Sequence, residues 1–191
     1  MPETDSSAIP PPLVEILNLT GDLVVLGPLR RDLIPDYLRW SNDLSTSRTL
    51  GLSWPTTLEQ ETATFEARVA DPGTAAFTIY ERATLRPIGI AYLYQIEPRH
   101  ARASFGITIG EANARGKGYG TEATRLVLGY AFNDRALENV LLTVYEFNRG
   151  GIRAYEKAGF VTFGRRRRCS RLGGRLWDLI YMECVAGEFA G

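Results

Sequence analysis

Runs of apolar residues, and the spacing between them, divide the chain into a series of predicted elements. Residues 23–29 are mostly apolar and read as a first strand. Over 32–42, Ile34, Tyr37, Leu38 and Ser41 fall on one face at helical spacing, which predicts a helix. Ser53-Trp54-Pro55 breaks that pattern. Thr57 and Gln60 then stand three apart, as in a capping box, and open a second helix with a sparse stripe of Leu58, Phe65 and Val69. Asp71-Pro72-Gly73 stops it. Strands are predicted over 76–81, 88–96 and 102–109, the last two joined by Glu97-Pro98-Arg99-His100. Tyr119, Ala123, Leu126, Val127 and Tyr130 recur at steps of three and four, as on an amphipathic helix. Residues 140–145 are apolar and β-prone, like a buried strand. A short helix follows, and 161–169 with 175–182 read as a hairpin around Gly173-Gly174. Residues 1–12 are polar and proline-rich and read as a disordered tail, which leaves 13–191 as one domain. The pattern alone licenses one α+β or α/β domain.

Composition removes several classes of function. The chain has 191 residues, enough for a sizeable core. Lysine plus arginine and aspartate plus glutamate are 22 each, so no electrostatic pull toward nucleic acid or a membrane surface is implied. Cys169 and Cys184 fit neither a disulfide framework nor a metal-ligand spacing, and no metal site is expected. His100 is the only histidine and no G-x-S-x-G elbow exists, which argues against serine-hydrolase chemistry. No apolar run reaches the roughly eighteen residues of a membrane span. The expectation is a soluble cytoplasmic protein.

Two segments carry candidate chemistry. The first runs from Ile107-Thr108-Ile109-Gly110 to Arg115-Gly116-Lys117-Gly118-Tyr119-Gly120: a strand, a glycine-rich turn, then the start of a helix. Free N–H groups at a helix start, approached closely where Cβ atoms are missing, make an anion site, and Arg115 and Lys117 add positive charge. A Walker loop would need Ser or Thr after Lys117, where Gly118 stands, and the spacing is not G-x-G-x-x-G. A cradle for a ligand pyrophosphate is the most economical reading; a flexible turn is the plain one. In the second segment, Asn148 can cap a helix that Gly159 ends in the left-handed conformation, within Asn148-Arg149-Gly150-Gly151-Ile152-Arg153-Ala154-Tyr155-Glu156-Lys157-Ala158-Gly159-Phe160.

With R-x-x-G-x-G at a strand end and Asn…Tyr-Glu-Lys-x-Gly-Phe about thirty residues on, the chain resembles the GNAT superfamily of N-acetyltransferases over about residues 23–183. The resemblance implies an α/β single domain whose mixed, mostly antiparallel central sheet is flanked by helices. It implies acetyl-CoA as co-substrate, with the backbone of Ile107, Thr108 and Ile109 pairing with pantetheine and polarising the thioester. Arg115, Gly116, Lys117, Gly118, Tyr119 and Gly120 would take the pyrophosphate, and Asn148 would touch the pantetheine arm. Tyr155 would lie beside the sulfur as general acid, since a phenol near pKa 10 is protonated at neutral pH. Apart from the resemblance, Tyr155 reads as a core aromatic on an amphipathic helix. Many relatives carry a Glu where Ser104 stands here; Ser104 is no useful base but could hold a water in a proton relay. Glu97, Glu111 and Glu146 remain as bases or as plain surface charges. A second departure is Gly151, where relatives usually have Ser.

Trp40-Ser41-Asn42-Asp43, the loop through Glu122-Ala123 and Trp177-Asp178…Met182 resemble the ribosomal-protein alanine acetyltransferase branch. The implied reaction is direct attack by a primary amine, of a small molecule or a protein N-terminus, within a ternary complex. A coenzyme A-binding protein without catalysis, and an acyltransferase with another acyl group or an O-acceptor, stand as alternatives, and a homodimer is left open. Arg165-Arg166-Arg167-Arg168 with Arg171 reads as a strand whose side chains alternate faces, serving either an acidic acceptor or a solvated edge. Trp40, Trp54, Tyr92 and Tyr94 are candidates for an acceptor wall or for core.

Overall fold

The computed structural model describes residues 16–51 and 55–190; the tail expected over 1–12, and Trp54, lie outside the described residues. The strands are β1 (Leu19–Thr20), β2 (Val24–Pro28), β3 (Ala75–Glu81), β4 (Pro87–Glu97), β5 (Arg102–Ile109), β6 (Asn139–Tyr145), β7 (Val161–Leu172) and β8 (Arg175–Val185). The helices are α1 (Ile34–Asn42), α2 (Leu44–Leu50), α3 (Leu58–Ala70), α4 (Tyr119–Gly129) and α5 (Arg149–Ala158). All strands join one sheet in the order β1-β2-β3-β4-β5-β6-β8-β7. Among the described residues only β5 and β6 run parallel; each other neighbouring pair is antiparallel. The result is the expected α/β domain with a mixed, mostly antiparallel sheet.

Alternation along β4 assigns the two faces. Ala91 and Leu93 point into the larger core, where Ala123, Val127 and Leu128 of α4 cover them. Ile90 points the other way, into a smaller cluster of Ile34, Tyr37 and Trp40 from α1 with Phe65 from α3. The buried face of α1 is therefore rotated from the expected one: Trp40 is buried, while Leu38 and Ser41 are only partly covered. The stripe expected on α3 shrinks to Phe65, because Leu58 and Val69 are 50% and 62% exposed. Glu61 is buried there instead and accepts a hydrogen bond from the Ser41 hydroxyl at 3.0 Å. The capping box forms as expected, Gln60 N–H to Thr57 Oγ1 at 3.3 Å and Thr57 N–H to Gln60 Oε1 at 2.9 Å.

Two elements were absent from the sequence-based pattern: β1, and the helix α2, whose residues Leu-Ser-Thr-Ser-Arg-Thr-Leu have no apolar period. β6 alternates more cleanly than its composition implies, burying Val140, Leu142 and Val144. The hairpin is longer than expected, and Gly173 and Gly174, at φ of 59° and 75°, form its two-residue turn between Leu172 and Arg175. The four arginines do not alternate as a regular strand would. Arg166 pairs with Leu179 but Ser170 pairs with Trp177, so β7 bulges between them. In the bulge Arg168 takes φ 50° and its N–H donates to Asp178 Oδ1 at 2.8 Å.

Two tertiary anchors position the glycine-rich loop. The indole of Trp40 lies directly on Gly110, where an added Cβ would come within 2.1 Å of the ring, so α1 presses on the end of β5. In the first turn of α4, the Glu122 carboxylate accepts the N–H groups of Asp22, Leu23 and Val24 at 3.0, 2.7 and 2.7 Å. That bonding ties the β1–β2 turn to the helix that leaves the loop.

Candidate active site

The parallel pair opens a gap in the sheet. β5 and β6 pair only through Arg102↔Asn139, Ala103↔Val140 and Ser104↔Leu141. From Phe105 onward β5 keeps β4 on one side and loses β6 on the other. Every second N–H and C=O of residues 105–109 therefore faces the opening without a strand partner among the described residues. Such groups are costly to leave unpaired, and an extended ligand that adds as a strand satisfies them.

A cavity of about 440 Å³ lies along this opening. Ile107, Thr108 and Ile109 form one wall; Arg115, Gly116, Gly118, Gly120 and Thr121 form the end where α4 begins. Gly116 and Gly118 adopt φ of 75° and 88°, a region that favours glycine, and the turn they make leads straight into α4. Gly118, the N-cap of α4, gives no side-chain cap, so the first-turn N–H groups stay available at the cavity end. A Cβ on Gly116 would meet nothing within 4 Å, which leaves room there for a ligand group.

The opposite wall comes from α5. Asn148 Oδ1 caps the helix by accepting the Gly151 N–H at 3.0 Å, and Asn148, Gly150, Gly151, Ala154 and Tyr155 all reach the cavity. The Tyr155 ring is held edge-on against Phe105 and Phe160, with centroids 6.4 and 6.0 Å away. Its hydroxyl makes no hydrogen bond among the described residues, and burial pushes the phenol up to about 12, with Tyr92 adding a smaller upward push. The phenol is thus a fixed, protonated donor at the wall of the gap.

Several expected residues sit elsewhere. Ser104 is the last β5 residue paired to β6, at the vertex of the opening; its hydroxyl donates to Gln95 Oε1 at 3.1 Å and it does not line the cavity. Lys117 is exposed and off the cavity wall. Tyr119 turns away as well, its hydroxyl donating to Glu81 Oε1 at 2.6 Å. Of the carboxylates weighed as bases, Glu97 pairs with Arg102, Glu111 with Arg39 and the Trp40 N–H, and Glu146 with the Asp178 N–H and Arg165. None of the three lines the cavity. Cys184 is buried with its thiol pushed up to about 11 by burial, Cys169 is exposed, and neither reaches the cavity.

The pattern of apolar positions missed the roof, which comes from α2 through Ser45, Thr46 and Thr49. The signals for it were polar: Asp43, whose carboxylate caps α2 by accepting the Ser45 N–H at 2.8 Å, and Gly51, which ends it at φ 72°. Arg153 and Lys157, one turn apart on α5, also line the cavity and add positive charge to it. Among the described residues no group of three metal-ligating side chains occurs, and no helix is long and apolar enough to cross a membrane.

A strand edge freed beside a glycine-rich helix start, with an asparagine-capped helix opposite, makes a slot for an extended ligand that carries an anionic group. Residues 24–161 match the family model described as "Acetyltransferase (GNAT) domain", and the chain belongs to that family. It is 36% identical over 103 residues to "Probable N-acetyltransferase YjcK" of Bacillus subtilis (strain 168), an alignment covering 53% of this chain and 56% of that protein. It is 37% identical over 75 residues to "SPbeta prophage-derived uncharacterized N-acetyltransferase YokL" of the same organism, covering 39% and 42%. The matched region spans about half the length of these curated relatives. The fold is similar to that of spermidine N-acetyltransferase from Vibrio cholerae, solved with CoA and spermine: TM-score 0.81 at 21% identity, covering 88% of this chain and 99% of that one. A GNAT-family acetyltransferase from Bacillus anthracis gives TM-score 0.77 at 17% identity, covering 91% and 100%.

Proposed function

We propose that the protein is an acetyl-CoA-dependent N-acetyltransferase that passes the acetyl group directly to a primary amine held in a ternary complex. The observation that carries this reading is the gap between β5 and β6, with unpaired β5 backbone on one wall and Tyr155 on the other. Backbone of residues 107–109 would align the pantetheine arm and polarise the thioester carbonyl. The first turn of α4 would take the pyrophosphate, and Asn148 would flank the arm. Tyr155 would donate to the sulfur as the thiolate departs. Both cysteines stand away from the cavity, so neither is placed as an acyl-enzyme nucleophile, in keeping with direct transfer. Ser104, at the vertex of the gap, would hold water on the path by which the amine loses its proton.

The acceptor reads as an amine with one positive charge, such as a peptide N-terminus, in keeping with the resemblance to ribosomal-protein alanine acetyltransferases. Asp43, Glu111 and Glu146 flank the lining segments, and each meets an arginine of this chain: Arg115, Arg39 and Arg165. Carboxylates neutralised in this way attract a polycation weakly. The Vibrio cholerae neighbour acts on spermidine, so the two acceptor classes separate in one experiment. Thiol release from acetyl-CoA is followed with a panel of N-terminal peptides, amino acid amides, amino sugars and polyamines, and products are identified by mass spectrometry. Turnover of mono-amines above polyamines is the expected result. Preference for polyamines would overturn the acceptor assignment. Tight CoA binding with no turnover on any amine or alcohol would overturn the enzyme reading in favour of a coenzyme-binding protein.

A further inference from the structure

The arginine that opens the glycine-rich loop does not point at the cavity end with its guanidinium free. Arg115 Nε donates to the Ile109 carbonyl at 3.0 Å. Its Nη1 donates to Ser45 Oγ at 2.7 Å. Its Nη2 reaches Thr46 Oγ1 at 2.6 Å, the Gly110 carbonyl at 3.0 Å and Asp43 Oδ2 at 3.2 Å. A guanidinium has five N–H donors. Nε spends its one, Nη2 shares its two among three acceptors, and Nη1 keeps one. A bidentate grip on a phosphate is therefore closed to this side chain as it stands.

What those bonds hold is α2. The helix is thinly packed: Thr46 and Ser47 are its buried residues, and Leu44 is 68% exposed. At its C-terminal end it rests on Tyr145, whose hydroxyl would lie 2.2 Å from a Cβ on Gly51. At its N-terminal end the ties to the body of the sheet are those Arg115 makes to Asp43, Ser45 and Thr46, while the same guanidinium grips the carbonyls that end β5. Ser45 and Thr46 also line the cavity.

We infer that Arg115 is a positioning residue, a latch that fastens the α2 roof to the end of β5 and so completes the cavity, with Asp43 as its anionic keeper. Its effect on coenzyme binding runs through the placement of α2. The inference rests on the reading of the cavity as the coenzyme site. It explains why an arginine at the head of a phosphate-binding turn can face back into the protein: the turn's backbone N–H groups supply the anion site, and the arginine fixes what covers it.

Arg115→Gln, Arg115→Lys and Asp43→Asn test it, with Asp43→Asn and Arg115→Gln also combined. Asn is as good an N-cap as Asp, so Asp43→Asn removes the charge and keeps the cap. Two readouts are taken: calorimetric affinity for CoA and for pantetheine, which lacks the pyrophosphate, and amide hydrogen exchange across residues 44–50. The expected result is faster exchange in 44–50 for every variant and a loss of CoA affinity of about five- to tenfold. Pantetheine should lose the same factor, and the double variant should be no worse than Arg115→Gln alone, since both break one contact network. Arg115→Lys should fail like Gln, because an ammonium cannot span five acceptors. The inference is overturned if CoA affinity falls with pantetheine affinity and exchange unchanged, or if Lys restores binding, since both mark direct charge contact with phosphate; a silent Asp43→Asn overturns it by showing that no anionic keeper is needed. Should the wild-type chain bind no CoA, the assignment of the cavity fails, and the exchange comparison alone decides whether the latch exists.

Discussion

Replacing Tyr155 with phenylalanine removes one oxygen and leaves the ring wedged edge-on between Phe105 and Phe160. The hydroxyl has no hydrogen-bond partner among the described residues, so no partner is orphaned, and the melting temperature should stay within about 2 °C of wild type. The kinetic effect can be sized from the phenol's pKa of about 12. A leaving thiol resembles free cysteine, near 8.5. Full proton transfer from Tyr155 to a free thiolate would therefore be uphill by about 5 kcal/mol, at roughly 1.4 kcal/mol per unit. Tyr155 acts instead by donating a hydrogen bond to sulfur as negative charge develops, and such bonds to charged groups contribute about 1.5–3 kcal/mol. The expected loss in kcat is roughly ten- to hundredfold, with KM for acetyl-CoA little changed. The assay is steady-state kinetics with a confirmed amine between about pH 6 and pH 9.5. Because the folded pKa is raised, the phenol stays protonated over that whole range, and wild type and variant should share one pH profile. By the same sign, stability tied to the neutral phenol is complete below about pH 10, the unfolded value, and is lost as pH rises toward 12. Undiminished kcat in the phenylalanine variant would refute the role, and a wild-type alkaline limb below pH 10 that the variant lacks would refute the raised pKa.

Glu122→Ala should lower stability by about 2–3 kcal/mol, or roughly 5–10 °C in melting temperature, because three N–H groups of the β1–β2 turn lose a charged acceptor; Glu122→Gln should fall between it and wild type in a thermal melt. Gly118→Ala should cost about 1–2 kcal/mol in folding through its φ of 88°, whereas Gly120→Ala should leave the melt within about 1 kcal/mol of wild type, since its Cβ would stand 3.5 Å from Ile109. If the cavity end is the pyrophosphate site, Gly120→Ala should still weaken CoA binding in calorimetry, and unchanged affinity would mark the loop as a turn only. Among the arginines of β7, Arg165→Ala should lower the melting temperature by breaking the contact with the well-covered Asp178, while Arg167→Ala and Arg171→Ala should leave both melting and acceptor KM at wild-type values. A selective rise in acceptor KM for those two would assign the segment to the substrate.

What the sequence determined by itself was whatever neighbours along the chain decide. The capping box at Thr57 and Gln60, the Asn148 cap, the left-handed Gly159 and the Gly173-Gly174 turn are each built from residues within a few positions of one another, and each stands where the sequence puts it. The larger core was legible for the same reason, through the helical period of α4 and the apolar, β-prone runs of β5 and β6. The tertiary structure alone decided the rest. The gap between β5 and β6 is a matter of register between strands far apart in sequence, with pairing that ends at Ser104↔Leu141. The α2 roof has no apolar period to announce it, because a Ser- and Thr-rich helix is held by tertiary contacts at its two ends. Glu122 reaches backbone about a hundred residues away, which no local pattern encodes. Arg115 shows the limit most directly. Its position in a glycine-rich motif is a fact of sequence, but where a guanidinium points depends on which acceptors the fold brings within reach, and here α2 brings them.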